Sequence, residues 1–80
     1  MTTSTANRMA RCTMQSHRVE ICRVPLNGTY AVGCNGRLIG HYADAAAAIF
    51  AAREHVRMLA AFQHELPRVS RSFIAAVESL

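Results

Sequence analysis

The sequence contains no lysine and no tryptophan, and its five acidic residues against nine arginines give a formal net charge of +4. This charge favours acidic proteins or nucleic acids as partners but does not bear on the fold. The use of arginine alone has two explanations. One is a GC-rich coding genome. The other is recognition of carboxylate or phosphate groups by the planar guanidinium group, which donates two parallel hydrogen bonds.

Segments that would indicate export or membrane insertion are also missing. No apolar run approaches the roughly 20 residues of a membrane-spanning helix, and residues 1–14 lack the apolar stretch of a signal peptide. Cys12, Cys22 and Cys34 are odd in number and widely spaced, which favours reduced thiols over a disulfide framework. We therefore expect a cytoplasmic protein without membrane contact.

The patterns typical of catalytic, metal and cofactor sites are absent from the sequence. No Cys-x-x-Cys pair, His-x-x-x-His pair or glycine-rich phosphate-binding loop occurs, so we expect neither a metal nor a cofactor. Cys34 and His41 come nearest to a nucleophile and its base, but the strand pairing predicted below places His41 opposite Tyr30. We expect no enzymatic activity.

Two Asn-Gly pairs organise the middle of the chain. Asn27-Gly28 and Asn35-Gly36 lie between apolar segments, and Asn-Gly favours the type I′ turn of a β-hairpin because both central residues need positive φ. We predict strands at His17–Val24, Thr29–Cys34 and Arg37–Tyr42. A two-residue second turn pairs Cys34 with Arg37, Val32 with Ile39 and Tyr30 with His41. The first turn uses either Asn27-Gly28 alone or the four residues 25–28.

Helices are predicted after the strands. Asp44 is a good N-cap for a long alanine-rich helix that reaches Pro67, and Ser70 caps a short helix through Ser79. The apolar stripe of the long helix comprises Ala45, Ile49, Ala52, Val56, Leu59 and Leu66. The predicted fold class is α+β, a three-stranded antiparallel sheet in the order β-β-β-α-α packed against one long helix with a short C-terminal helix. Residues 1–12 are predicted to be a disordered or loosely attached tail of a single domain spanning 13–80.

The predicted strands have two different faces. The face expected to pack on the helix carries Val19, Ile21, Arg23, Tyr30, Val32, Cys34 and Ile39, and the opposite face carries Glu20, Cys22, Val24, Ala31, Gly33, Leu38, Gly40 and Tyr42. The second set is unusually apolar for a wet face. Either the tail or the last helix covers it, or it is a surface for self-association or a partner. A homodimer surface is predicted at Ala31, Gly33, Leu38, Tyr42, Phe50, Met58 and Phe62.

The basic residues are the remaining candidates for binding. Arg53 and Arg57 are four apart and project from one flank of the long helix, with His64 near their line. These residues form either a solvated surface or a basic patch that contacts a partner. The predicted partner-binding residues are Arg23, Arg37, Arg53, Arg57 and His64.

A direct role in nucleic-acid binding finds less support in the sequence. Three antiparallel strands followed by a helix resemble part of a double-stranded-RNA-binding domain, which opens its last helix with a basic run. Here that helix opens with Asp44 and four alanines, and the first helix of that family is missing. A single-strand binder exposes aromatic residues on its sheet. Only Tyr30 and Tyr42 are available, and they are predicted on opposite faces.

The whole chain resembles in format the small single-domain anti-CRISPR proteins of phages and prophages. The likeness lies in the eighty-residue length, the absence of an active site, and the block Gly28-Thr29-Tyr30 to Cys34–Tyr42 that leads into the alanine-rich helix. It implies a stoichiometric inhibitor of a type I system that binds a protein subunit of the surveillance complex or its recruited nuclease and blocks target-DNA engagement or cleavage. Many members are acidic and imitate nucleic acid. With a charge of +4, this chain would instead cover an acidic or apolar protein surface.

Two other functions remain open at the sequence level. One is a small basic nucleic-acid-binding or regulatory protein of a mobile element, and the other is an accessory or folding-stabilising module without a ligand. A chain of this length buries only about 60% of its unfolded surface, so it would also gain stability from dimerisation.

Overall fold

The computed structural model describes residues 8–60 and 64–80. It consists of four strands and two helices, β1 (Met9–Met14), β2 (His17–Val24), β3 (Thr29–Cys34), β4 (Arg37–Tyr42), α1 (Ala45–Leu59) and α2 (Arg71–Glu78). The strands form one open antiparallel sheet in the order β1-β2-β3-β4. The predicted α+β class is confirmed, whereas the predicted number of three strands is wrong.

The additional strand is β1, which pairs with β2 through six residue pairs from Met9–Cys22 to Met14–His17. The connecting turn consists of Gln15 and Ser16, with φ of 50° and 72°. These two residues adopt the left-handed conformation without the Asn-Gly sequence that usually indicates it. Residues 9–12, assigned to the tail from the sequence, are therefore part of the sheet.

The other two connections are the predicted turns. Asn35 and Gly36 have φ of 53° and 84°, and Cys34 pairs with Arg37 across them. The β2–β3 connection uses the four-residue alternative, closed by the Gly28 amide, which donates to the Val24 carbonyl at 2.8 Å. Consecutive hairpins thus build the whole sheet.

Strand β4 contains a β-bulge that changes its facing. Gly33 pairs with Leu38, but Val32 pairs with Gly40, so Ile39 is an extra residue without an opposite partner. The predicted pairs of Val32 with Ile39 and Tyr30 with His41 are therefore wrong. Since an extra residue reverses the alternation, Tyr42 lies opposite Tyr30 and packs against the core instead of the other face.

Both helices begin at a side-chain cap. The Asp44 carboxylate accepts from the Ala47 amide at 2.8 Å, and the Ser70 hydroxyl accepts from the Phe73 amide at 3.1 Å. These caps agree with the sequence-based boundaries. Helix α1 ends earlier than predicted, because Ala60 is extended with φ −104° and ψ 106°. Leu66 is therefore not part of its apolar stripe.

The core lies between the helices and one face of the sheet, here called the core face. Its buried strand residues are Ala10, Met14, Val19, Ile21, Tyr30, Val32 and Cys34. Ala48, Ile49, Ala52 and Val56 of α1 and Phe73 and Val77 of α2 complete the cluster. The helices form one layer and the sheet forms the other. Because α2 packs on the core face, the alternative in which the last helix covers the opposite face of the sheet is excluded.

Candidate interaction surface

The second face of the sheet, here called the outer face, lies opposite the helices. Alternation along the paired strands places these residues on it: Met9, Arg11, Thr13, Arg18, Glu20, Cys22, Val24, Thr29, Ala31, Gly33, Leu38 and His41. None of these residues is buried, and neither described helix packs on this face. It is a broad surface with both charged and apolar residues.

A shallow groove of about 200 Å³ crosses the outer face. Ala31 and Gly33 form its floor, and the side chains of Met9 and Leu38 stand beside them with exposures of 39% and 65%. Glu20, Cys22, Gly36 and Arg37 complete its lining. The small floor residues leave space for an apolar side chain of a partner, and Leu38 offers it an exposed contact.

The β4 bulge allows Leu38 and Tyr42 to face opposite sides of the sheet. Without the extra residue, regular alternation along β4 would place Leu38 and Tyr42 on the same face. With it, Leu38 faces outward opposite Gly33, while Ile39 and Tyr42 pack against the core. The Tyr42 ring lies over Gly40, where an added Cβ would come within 2.8 Å of the Tyr42 hydroxyl. Gly40 therefore allows the tyrosine to turn inward.

Arg18 and Arg37 lie close to the β3–β4 turn but belong to opposite faces of the sheet, because Arg18 pairs with Thr13 whereas Arg37 pairs with the buried Cys34. The Asn35 side-chain oxygen accepts from the Arg18 amide at 2.9 Å, and the Asn35 amide donates to the Arg18 carbonyl at 2.8 Å. These bonds hold the β3–β4 turn against the start of β2. The Arg18 guanidinium lies 3.9 Å from the position of a Cβ on Gly36, and Arg37 follows Gly36 in the chain and lines the groove. Arg18 itself lines a different depression, together with Arg11, Cys12 and Thr13.

The other arginine on the outer face is paired with a carboxylate. Arg11 lies 3.5 Å from the Glu20 carboxylate on the neighbouring strand, and the Arg11 side chain is 72% exposed. Such an exposed pair adds little to stability. Glu20 is the only acidic residue on the outer face within the described ranges, so this pair uses the face's one local carboxylate.

The arginines predicted to bind a partner do not converge. The Arg53 Nε donates to the Pro67 carbonyl at 2.8 Å, and Arg57 contacts Glu54 at 3.0 Å. Arg23 reaches the Leu80 carbonyl at 3.3 Å and lies 5.5 Å from the Tyr30 ring centre. Arg53 and Arg57 thus stabilise the helical layer, and Arg23 ties the end of the chain to the sheet.

The last two members of the predicted partner-binding set occupy different places. His64 lines a separate depression with Gln15 and residues 65–68. Arg37 belongs to the outer-face groove. Arg18, whose backbone is bonded to Asn35 of the β3–β4 turn, was not among the predicted binding residues. The hairpin register contained the necessary signal, because Val19 opposite Cys34 places Arg18 beside Asn35.

The residues predicted for a dimer surface are also divided. Ala31, Gly33 and Leu38 lie on the outer face, whereas Tyr42 lies on the core face. Phe50 and Met58 are 53% and 70% exposed on α1. Because α1 covers the core face, they are separated from the groove by the sheet. Phe62 lies outside the described residues.

Reactive groups do not assemble into a site in the part of the chain that the structure describes. No group of three or more histidine, cysteine, aspartate or glutamate residues there could hold a metal ion. Cys34 and His41 lie on opposite faces of the sheet. Burial also raises the pKa of the Cys34 thiol, which disfavours the thiolate needed for nucleophilic attack.

The comparisons with known proteins leave the surface itself as the basis for a functional argument. Among the described residues, neither helix has the length and apolar character required to cross a membrane. No protein-family model, curated protein or solved structure matches this chain.

Proposed function

We propose that this protein is a non-enzymatic phage or prophage inhibitor of CRISPR immunity that binds a protein subunit of a type I surveillance complex stoichiometrically and blocks target-DNA engagement. The observation that carries the binding role is the outer face, which combines an apolar groove with exposed arginines and lies free of the helical layer. The CRISPR target rests on the resemblance in size and format described above.

Protein binding suits this surface better than catalysis does. A specific complex buries roughly 800 Å² on each partner, so the contact must extend beyond the groove. Leu38 and Arg37 line the groove and also a second depression with Ile39, His55 and Leu59 beyond the β4 edge. A partner centred on Leu38 therefore has a continuous surface on both sides of that edge.

A phage-plaquing assay in strains with active type I immunity tests the proposed function. Expression of the protein should restore plaques, and addition of the purified protein should saturate inhibition of a purified surveillance complex near one equivalent per binding site. Unchanged immunity across the type I subtypes would overturn the proposed target. Inhibition at far below one equivalent would contradict stoichiometric binding.

Matched variants connect this assay to the outer face. Leu38→Glu places a charge in the groove wall and should abolish protection, while the fold is retained because Leu38 is 65% exposed. Leu26→Glu introduces the same charge at a residue that is 95% exposed in the β2–β3 connection, and it should protect fully. Equal protection by both variants would place the contact elsewhere.

The exposed arginines Arg18 and Arg37 also favour a second candidate, a small basic nucleic-acid-binding or regulatory protein of a mobile element. Guanidinium groups bind phosphate as well as carboxylate. Binding through phosphates weakens steeply as salt rises, because counterions are released from the nucleic acid. An oligonucleotide affinity that falls by orders of magnitude between 50 and 200 mM salt would favour this candidate.

Self-association remains a separate prediction with its own surface. Phe50 and Met58 expose apolar side chains on the helical layer, away from the groove. If they form a homodimer, light scattering at high micromolar concentration should give the mass of two chains, and Met58→Glu should give that of one chain. A monomer at that concentration in the unaltered protein excludes the dimer.

A further inference from the structure

We infer that the free edge of β1 pairs with the β1 edge of a second copy of this chain across a two-fold axis. Two four-stranded sheets thereby become one sheet of eight strands. The inference does not rest on the proposed function, and it uses a different surface from Phe50 and Met58 of α1. It assigns the register of the pairing and places Cys12 on the axis.

The main-chain groups on the free edge of β1 belong to Arg11 and Thr13. The amide and the carbonyl of Arg18 both bind Asn35, on the β3 side of β2. Thr13 lies opposite Arg18, so these two residues share no hydrogen bonds, and the Thr13 amide and carbonyl point away from β2. Alternation gives the main-chain groups of Arg11 the same direction. Among the described residues, no other main chain bonds these groups of Arg11 and Thr13.

The two edges of the sheet differ in regularity. β1 pairs with β2 through six consecutive residue pairs without a bulge or a proline. Its charged side chain, Arg11, lies against Glu20 of the neighbouring strand. β4 is interrupted by the bulge at Ile39. Bulges, prolines and charges protect exposed edges against pairing with another chain. β1 is therefore the edge that is better suited to such pairing.

The side chains of β1 select one register. In a two-fold antiparallel pair, one residue lies opposite its own copy. If that residue were Arg11, two guanidinium groups would face each other, which destabilises a strand pair. With Cys12 on the axis, Arg11 lies opposite Thr13 of the second copy, and each such contact supplies two main-chain hydrogen bonds. Ala10 then lies opposite Met14. An axis at Ala10 or Thr13 would shorten the paired segment.

Helix α2 has a flank that suits this pairing. It packs over β1 and beside α1, so two copies of α2 approach each other when the edges pair. Phe73 and Val77 are buried against the sheet, and Ile74 packs against the core on the flank toward α1. The opposite flank carries small exposed residues: Ser72, Ala76 and Ser79. Helix axes approach to about 8 Å when the side chains between them are small, and the short spacing of adjacent edge strands requires such a close approach.

A strand from another protein would also satisfy the main-chain groups of the edge. It would, however, leave the small flank of α2 uncovered, whereas a second copy brings its own α2 to that flank. The offset of Arg11 against Thr13 makes the edge complementary to itself. A chain of eighty residues also gains stability by burying more surface. These features favour a second copy over an unrelated strand.

Light scattering at high micromolar concentration tests the pairing. The unaltered chain should give the mass of two copies. Thr13→Pro should give the mass of one, since proline removes an amide on the free edge and none from the ladder with β2. Thr13→Val is the matched control, because it keeps the amide and should remain a dimer.

A second pair of variants tests the α2 flank. Ala76→Arg places a long side chain between the two helices and should weaken self-association about tenfold. Ala75→Arg adds the same side chain one residue earlier, at an exposed position opposite Phe73 and Val77 around the helix, and should leave self-association unchanged.

Cys12 provides a readout that does not depend on the proline variant. In a residue pair without mutual hydrogen bonds the two Cα atoms lie about 4.5 Å apart, within the span of a disulfide. In the Cys22→Ala, Cys34→Ala chain, the oxidant diamide should join the Cys12 thiols of two copies and take up two electrons and two protons. The control is the Cys12→Ala, Cys34→Ala chain. It keeps Cys22 on the outer face of β2 and should not cross-link.

A monomer at this concentration, a dimer that persists in folded Thr13→Pro, or a dimer lost in Thr13→Val would overturn the inference. A monomeric Met58→Glu would place self-association on α1 and would also overturn it, as would a dimer whose Cys12 thiols do not cross-link. If circular dichroism shows that Thr13→Pro is unfolded, the cross-link and Ala76→Arg decide. The plaquing assay is separate from these measurements, so the proposed inhibitor and the β1 dimer can fail independently.

Discussion

The two faces of the single sheet have nearly opposite relations to the rest of the molecule. On the core face, Val19, Ile21 and Val32 have no exposed surface and pack under two helices. On the outer face, their neighbours along the same strands border an open groove. One strand therefore contributes to stability through alternate residues and to the binding surface through the others. Changes on one face can be made with little effect on the other.

The outer face also differs from an ordinary solvent-exposed face, on which the residues that alternate with the core residues along each strand are polar. Ala31 and Gly33 occupy central positions where a longer polar side chain would be tolerated by solvent. Their small size is unnecessary for the core, which they do not enter. It does create the groove floor, and this is a reason to assign the face a binding role.

The largest expected effect comes from removing core-face volume. Ile21→Ala should lower the free energy of unfolding by about 3 kcal/mol, because it leaves a cavity at a residue with 0% exposure. Leu38→Ala on the outer face should change it by less than about 0.5 kcal/mol. Urea unfolding followed by circular dichroism measures both values.

Ile21→Ala threatens folding in so small a domain, so Ile21→Val provides a milder test with an expected loss of about 1 kcal/mol. Equal destabilisation by Ile21→Val and Leu38→Ala would contradict the division between the faces.

A smaller effect on stability is expected at Arg53, which the sequence predicted to bind a partner. Arg53→Ala removes the Nε bond to the Pro67 carbonyl, which ties the segment before α2 to α1, and should cost about 1.5 kcal/mol. Arg57→Ala removes a partly exposed contact with Glu54 and should cost only about 0.5 kcal/mol. Thermal unfolding of the two variants distinguishes them. An unchanged melting temperature for Arg53→Ala would restore the helix flank as a candidate contact.

In the bulged strand β4, Gly40→Ala is expected to lower the free energy of unfolding by about 1 kcal/mol. Gly40→Ala places a Cβ 2.8 Å from the Tyr42 hydroxyl, so the ring must move and its packing is lost. Gly33→Ala on the outer face meets the Arg37 carbonyl oxygen at 3.4 Å and the Glu20 carbonyl oxygen at 3.9 Å, and it should be nearly neutral.

A double-mutant cycle tests the cause of the Gly40 effect. The cost of Gly40→Ala should disappear in a Tyr42→Ala background, because the ring that opposes the added methyl group is absent. A cost that persists in that background would show that the backbone at Gly40, rather than the tyrosine, requires glycine.

Local chemistry explains which parts of the fold were predictable. Asn35-Gly36 predicts a turn because both residues adopt positive φ readily, and the structure has it there. Asp44 and Ser70 predict helix starts because their side chains accept amide hydrogen bonds. The groove floor at Ala31 and Gly33 followed from simple alternation along β3.

Most features of the fold that were not predicted have weak local signals in the sequence. The turn after β1 uses Gln15 and Ser16, which rarely adopt positive φ, so nothing in the sequence indicated a hairpin there. Gly40 did carry a signal, since an isolated glycine within a strand suggests a bulge. The end of α1 and the internal contact of Arg53 depend on tertiary packing, which periodicity does not describe.

The smallest expected effect compares how the core-face thiols respond to alkaline pH. Burial raises the pKa of Cys12 and of Cys34 above their ordinary value of 9.0, because the thiolate is poorly solvated in the folded state. In the unfolded state these thiols lose their protons first as the pH rises. Their contribution to stability is therefore complete below pH 9.0 and declines as the pH rises past it.

The Cys12→Ala, Cys34→Ala double variant isolates this contribution. Its free energy of unfolding starts lower at pH 7, since Cys34 is 3% exposed and packs in the core. The informative quantity is the slope with pH, because the two proteins differ in ionisable groups only at these two thiols. Urea unfolding from pH 7 to pH 10.5 should show a steeper decline for the unaltered chain above about pH 9. Parallel declines would mean that the thiols titrate alike in the folded and unfolded states, and that the core face shields them less than its packing implies.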